Sequence, residues 1–494
     1  MATLFTPYST VASLFGDKPS WIPDELEQAR IQAYDAYERI YWTAPDTFAV
    51  NMRGSNDLPI YIPNGRVIVD TINRYTATSF GVAVKNRAGP EDSEDVLAAR
   101  LALSDLMKRE RFRAKFNGSK RYGLMKGDSI WHITADTNKP QGSRITITAL
   151  DPGMYFPIFD PNNVDKVIGC RLVEAVTTPD GQRIKRQTYR KTETGAITVE
   201  AGVYEVEGWM NDDAQPIEPI IPLTTLPPTI TALPVYHVKN FEEPGHPFGS
   251  SEMRGLEILM TAVNQTISDE DLALVLAGVG VYVTTEQPVD PETKQPVPWR
   301  IGPGRVIKLG NPEARFDRVD GVKSVVPFGD HYDRLITSLK AAAATPDIAI
   351  GSVDVQVASS GIALSLQLGP LLAKAAEHND LIVGTMDQFW YDLVNGWFPA
   401  YEETTFTDVD VASVIGDAVP VDREKRFEEL NDMLDRGVID TEYYRSEAAK
   451  LGYVFPEGIA ERASAEYAER NQDQFANRAN AELGEDGNDD GTET

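Results

Sequence analysis

Apolar residues recur at helical spacing over 23–42, PDELEQARIQAYDAYERIYW, where Leu26, Ala29, Ala33, Tyr37 and Ile40 share a stripe behind an Asp24 cap. A second helix is predicted over 92–125. From Ser129 to about Lys239 the period drops to two. SIWHITAD, SRITITAL, KVIGCRLVEAV, IKRQTYRKT and EVEGWMN are rich in β-branched and aromatic residues, and turn sequences such as PDGQ and DPNN separate them. Helices followed by an antiparallel β region predict an α+β fold.

The second half begins with a strand, a Gly/Pro loop and a helix in PVYHVKNFEEPGHPFGSSEMRGLEILMTAVNQTISDED. Ser250 or Ser251 is the expected cap, Glu252 falls in the first turn, and Leu256, Met260, Val263 and Ile267 form one stripe. Residues 274–328 are dense in Pro and Gly and read as short strands and turns, after which DHYDRLITSLKAAAA returns as a helix. Two helices bracketing a small β module predict a stalk that carries a head. A longer helix is expected from about Ser360 to Asn395, spanning roughly 50 Å. Pro370, after Gly369, lacks an N–H and crowds the carbonyl of Leu366, which predicts a bend near 366–370. FPAYEETTFTDVDV reads as one strand. A helical hairpin follows, with Phe427, Leu430 and Leu434 on one face, Gly437 as a stop, and the device repeated up to Gly452. From Asn471 the chain carries seven acids and one Arg, a composition that predicts disorder. No internal repeat is found.

Charge changes this picture. The 494 residues hold 47 Lys and Arg against 75 Asp and Glu, a net charge of −28. Such a chain repels nucleic acid as a whole, so any DNA contact must be local or deliberately non-adhesive. The length allows several domains, and 42% hydrophobic with 25% charged residues lies in the globular range. The single cysteine, Cys170, rules out an intrachain disulfide and reads as a small apolar filler in a strand. No secretory leader is expected in MATLFTPYSTVASLFGDKPSW, and the longest apolar run, LALVLAGVGVYV, is too short to span a bilayer, so a soluble protein with no membrane partner is expected.

Catalytic chemistry finds little footing. There is no phosphate-cradling G-x-x-x-x-G-K-[ST], and the G-x-G of GPGRVIKLG has no helix after it. His132, His237, His246, His331 and His378 are scattered, with no second ligand at metal spacing. The serines of GSSE and ASSGIA read as helix caps, and DPGMYFPIFDPNNVD reads as turns better than as a calcium loop. No catalytic residue, metal or cofactor is therefore expected, and the protein is not expected to be an enzyme. One local pattern stands out. Between Lys294 and Lys323 lie seven bases, including Arg300, Arg305, Lys308, Arg315 and Arg318, against three acids. This is either a solvated face or an electrostatic dock for an acidic partner.

In its order of parts the chain resembles the portal (connector) protein of tailed double-stranded DNA bacteriophages, the long-tailed (siphovirus) type in particular. LPVYHVKNFEEPGHPFGSSEMRGLEILMTAVNQTISDED, TPDIAIGSVDVQVASSGIAL and LNDMLDRGVIDTEYYRSEAAKLGY carry the likeness, which extends over residues 20–465. The resemblance implies the portal fold. Its wing would comprise 1–250 with a return strand at 397–418, and its stem helices would be 251–273 and 329–344. A small α/β clip would occupy 274–328, a tunnel loop 345–359, a long kinked helix 360–396, a helical crown 419–470 and the acidic tail 471–494. It implies a ring of about twelve copies at one capsid vertex, assembled in the host cytoplasm, through which the genome is packaged and ejected. Implied partners are further copies of the chain, the major capsid protein and scaffold, the large terminase subunit, a head-to-tail adaptor docked at the clip, and double-stranded DNA passing without sequence specificity. A virion assembly or tail-adaptor protein that never encircles DNA is the alternative.

On that reading the loop 345–359 faces the channel with Asp347, Ile348, Ile350, Ser352, Val353, Asp354 and Gln356 and holds no cation, so a phosphate backbone slides past without being gripped. Twelve copies would carry about −336 before counterions, and subunit interfaces would repel one another. Ring yield is therefore expected to rise from low to moderate ionic strength in native mass measurements, as screening relieves that repulsion. A flat or falling yield contradicts this.

Overall fold

The computed structural model describes residues 19–44, 47–51, 58–87, 93–279, 281–285, 289–290, 292–293, 295–296, 311, 313–319, 326–350, 361–416, 423–439, 443–444 and 447–448. It divides into two compact units, Met1–Ala418 and Val419–Thr494.

The first unit opens with α1 (Glu25–Trp42), where the Asp24 carboxylate accepts from the Glu27 amide at 2.9 Å as the sequence predicts. Next come α2 (Asn64–Tyr75), β1 (Phe80–Asn86), α3 (Glu94–Arg109) and α4 (Phe112–Lys126). The single helix expected over 92–125 is thus two helices. Arg111 takes a left-handed φ of 50° between them, a conformation that side chains other than glycine rarely adopt, and this redirects the chain. The new direction buries Phe112 and Phe116.

The β region contains β2 (Asp128–Ala135), β3 (Ile145–Leu150), β4 (Tyr155–Asp160), β5 (Asn163–Thr178), β6 (Gly181–Lys191), β7 (Ile197–Tyr204), β8 (Glu218–Thr225) and β9 (Val235–Lys239). They form a three-stranded sheet, β3-β2-β9, and a five-stranded sheet in sequence order from β4 to β8. Every pair is antiparallel. The predicted strand EVEGWMN is instead a turn. Gly208 sits at φ 77°, and Trp209 is buried with its indole N–H donating to the Trp21 carbonyl at 2.7 Å.

Beyond the sheets lie α5 (Glu257–Val279), β10 (Val281–Thr284), β11 (Phe316–Val319), α6 (Val326–Ala343), a one-turn α7 (Asp347–Ile350), α8 (Gly361–Asp392) and β12 (Val409–Ile415). β12 pairs antiparallel with β1, and β10 with β11. The expected stem helix over 251–273 begins and ends six residues later. Gly255 at φ 81° breaks the chain ahead of it, and Ser251 caps a turn instead, its hydroxyl accepting from the Met253 amide. The strand expected over 397–418 is shorter too. After α8 the chain continues as π-helical turns over Leu393–Glu402, and extended pairing is confined to β12. Pro399 is tolerated there because the wider i→i+5 turn relieves the ring's clash with the carbonyl four residues back.

Two clusters of buried side chains hold the unit together. In one, Phe112, Phe116, Trp131, Phe389 and Trp390 bring α4, β2 and the end of α8 together, with Phe112 and Trp131 stacked at 5.1 Å. In the other, Ile68, Leu124, Met260, Leu339, Ala343, Ala349 and Leu371 join α2, α4, α5, α6, α7 and α8. The exposed edge of β3 is closed by side chains: the Glu402 carboxylate accepts from the amides of Gly142, Arg144 and Ile145. In the second unit, α9 (Arg423–Asp435) buries Leu430 and stops before Gly437, which takes φ 69° as the sequence predicts. Tyr444 packs on Phe427 and donates to Asn431 at 2.7 Å.

Gly127 and Gly249 lie back to back where β2 meets the loop before α5. A Cβ at Gly249 would come within 2.2 Å of the Gly127 carbonyl. Gly249→Ala is expected to destabilise the fold by about 3 kcal/mol in urea unfolding, and a loss below about 1 kcal/mol would contradict this packing.

Candidate functional site

The site is the root of the α5–α6 pair. The two helices pack together and are joined through β10 and β11. The loop leading into α5 and the C-terminal carbonyl of α6 meet at one side chain, Lys374 of α8. Its Nζ donates to Glu252 at 2.8 Å and to the Ala343 carbonyl at 3.0 Å. The pair is therefore antiparallel, a stalk rooted on α8. Glu252 is buried, with Nε2 of His378 at 2.7 Å and the Asn240 amide donating to it at 3.0 Å. His378 Nδ1 faces the Asn240 carbonyl at 2.8 Å and donates to it. Burial pushes the Glu252 carboxyl up, and the adjacent His378 and Lys374 more than offset this, leaving it below its ordinary value.

Three further buried carboxylates fix the scaffold behind this node. Lys126 lies between Asp151 at 2.7 Å and Glu38 at 2.8 Å. Asp128 accepts from Tyr34, from the Gly249 amide at 2.7 Å, and meets His237 at 2.6 Å. A strap from the chain ahead of α2 is laced along α5 by polar side chains of the helix. Asn264 accepts from the Ile62 amide, Ser268 from that of Ile60, and Gln265 bonds both backbone groups of Asn51. The sequence marks these residues only as polar interruptions in the stripe, and Glu252 only as an acid near a helix start. Its partners, Lys374 and His378, lie more than a hundred residues away.

The predicted functional residues fare unevenly. Of the loop expected over 345–359, residues 345–350 are anchored structure, because Ala349 is buried in the second cluster and Asp347, Ile348 and Ile350 form α7. Asp347 also pairs with Lys340, so its charge is compensated. Ser352, Val353, Asp354 and Gln356 lie outside the described residues. α8 runs unbroken from Gly361 to Asp392 with Pro370 inside it, and a Cβ at Gly369 would meet nothing within 4 Å. In the insert, Arg300, Arg305 and Lys308 lie outside the described residues. Arg315 is exposed, with its amide held by Thr285, and Arg318 lies opposite Tyr282 in the β10–β11 ribbon. Among the described residues no group of three or more His, Cys, Asp or Glu is placed to hold a metal ion, and no helix is long and apolar enough to cross a membrane.

No protein-family model matches the chain, and no curated protein matches it. Solved structures do. The chain is similar to a chain in the virion of a native gene transfer agent (GTA) particle, at 13% identity and a TM-score of 0.43, covering 86% of this chain and 94% of that one. It is similar to a chain in the neck of the native GTA particle computed with C12 symmetry, at 12% identity and 0.42, covering 81% and 97%. It is likewise similar to one in the neck of the empty GTA particle computed with C6 symmetry, at 13% and 0.43, covering 80% and 91%. At these scores and identities the likeness assigns no activity.

The buried node is acid-sensitive. Glu252 has a folded-state pKa below its ordinary 4.5, so its contribution is full above that pH and is lost as the pH falls through the lower value. Glu252→Gln is expected to lower stability at neutral pH by about 3 kcal/mol and to flatten the decline below about pH 5. Urea titrations across pH check this, and an acid decline as steep as that of the unaltered protein would contradict it.

Proposed function

We propose that the chain is the portal protein of a tailed bacteriophage or phage-like particle: a structural ring at one capsid vertex, without catalysis of its own, through which double-stranded DNA is packaged and ejected. The observation that carries this reading is the rooted stalk. Within one copy α5 packs mainly on α6 and the strap, and although its middle carries the acids Asp269, Glu270 and Asp271, it leaves Ile258, Leu274 and Val275 exposed. Large apolar side chains left exposed on a stalk helix call for a covering surface, and copies of the same stalk arranged in a circle would supply it. The β10–β11 ribbon at its tip would be the clip that docks terminase and then the head-to-tail adaptor, with Arg300, Arg305, Lys308, Arg315 and Arg318 as its cations. The stretch following α7 would reach the channel, with few fixed cations to hold a phosphate backbone.

Negative-stain imaging of the purified protein tests this reading, and rings with a central hole are expected. Leu274→Asp combined with Val275→Asp is expected to yield folded single copies with unchanged circular dichroism and no rings. Rings formed as readily by the double variant, or no closed ring from the unaltered protein, would overturn the proposal.

A further inference from the structure

The segment from Lys108 to Lys126 holds eight bases and one acid, a local excess of seven positive charges in a chain of net charge −28. The structure sorts these bases into two groups. Five are occupied. Arg109 caps the carbonyls of Gly142 and Ile145, and Lys115 bonds Glu110 and the Ile147 carbonyl. Lys120 bonds the carbonyls of Asn73 and Thr76, Arg121 meets Asp70, and Lys126 meets Glu38 and Asp151. The other three, Lys108, Arg111 and Arg113, are exposed. Among the described residues their one ion pair is a loose 4.0 Å contact from Lys108 to the solvated Asp105. These three line a single open cleft of about 620 Å³ at the α3–α4 corner, floored by Met107 and Ala114 and flanked by Asn117. Arg111 faces it from a left-handed backbone position that glycine would adopt with less strain.

We infer that this corner is a docking site for a carboxylate-rich polypeptide segment of a partner protein. Two guanidinium forks and an ammonium around a partly apolar floor match aspartate and glutamate side chains on a chain that also buries a few methylenes. A nucleic acid fits less well. No aromatic face is open for bases to stack on, since Phe112 is buried, and the surrounding charge of the chain repels a polyphosphate. The inference rests on the α3–α4 corner, none of whose lining residues belongs to the stalk helices, and does not depend on the chain forming a ring.

Fluorescence anisotropy of a labelled deca-glutamate peptide with the full-length protein tests it, with a short DNA duplex and inorganic phosphate as competitors. The peptide is expected to bind with a Kd on the order of 10–100 μM, weakening with salt. Lys108→Glu with Arg111→Glu and Arg113→Glu should weaken binding at least about tenfold. Arg111→Gly supplies the second readout, because it should weaken binding while raising the melting temperature, which a purely structural role for Arg111 would not do. Absent peptide binding, equal binding by both variants, or duplex DNA displacing the peptide more effectively than unlabelled peptide does would each overturn the inference.

Discussion

A carboxylate taken out of water must be matched by cations and donors, or the fold that buries it is lost. Glu252 is such a group, and its three partners come from different parts of the chain: Asn240 from the end of β9, and Lys374 and His378 from successive turns of α8. Lys374 then spends its remaining reach on the last carbonyl of α6. One buried charge therefore ties the approach to α5 to the end of α6. The hydrophobic contacts around it, from Met260, Leu339 and Leu371, supply much of the stabilising area but little direction. The ion node supplies the direction, because its geometry is satisfied at only one register of α8.

The same logic recurs behind the node. Lys126 between Glu38 and Asp151, and Asp128 among Tyr34, His237 and the Gly249 amide, tie α1, α4, β2 and β9 into a rigid block. The close approach of Gly127 and Gly249 leaves no room for that block to slide against the loop before α5. At the far end of α8, the π-helical turns deliver Glu402 to the open edge of β3, which ends that sheet without a further strand. α8 is thus held by two carboxylates, Glu252 against its middle at Lys374 and His378, and Glu402 in the turns that follow it.

Elements governed by local rules were legible in the sequence. The Asp24 cap, the alternation through β2, β3, β5 and β6, the Gly437 stop and the helix–ribbon–helix order of the stalk all depend on neighbours within a few residues. What the sequence concealed depends on distance. Glu252 looked like a first-turn acid because its cations are far away in the chain. The break at Arg111 was hidden because arginine carries no turn signal, and the left-handed backbone there is imposed by the burial of Phe112 and Phe116. The π-helical turns were read as strand because Pro399 and the β-branched residues after it argue locally against helix. The charge reading favoured the insert at 294–323 and overlooked the denser run at 108–126, where only the fold separates bases that serve the structure from those left free. For the expected channel-facing residues, legibility stops at Asp347, whose charge is already matched by Lys340.

A stalk rooted through one lysine is the central claim, and hydrogen exchange of the Lys374→Met protein tests it most directly. Peptides spanning 252–262 and 336–345 should lose protection together while the five-stranded sheet keeps its own. Unchanged protection at both roots, or a loss spread evenly over the first unit, would contradict it.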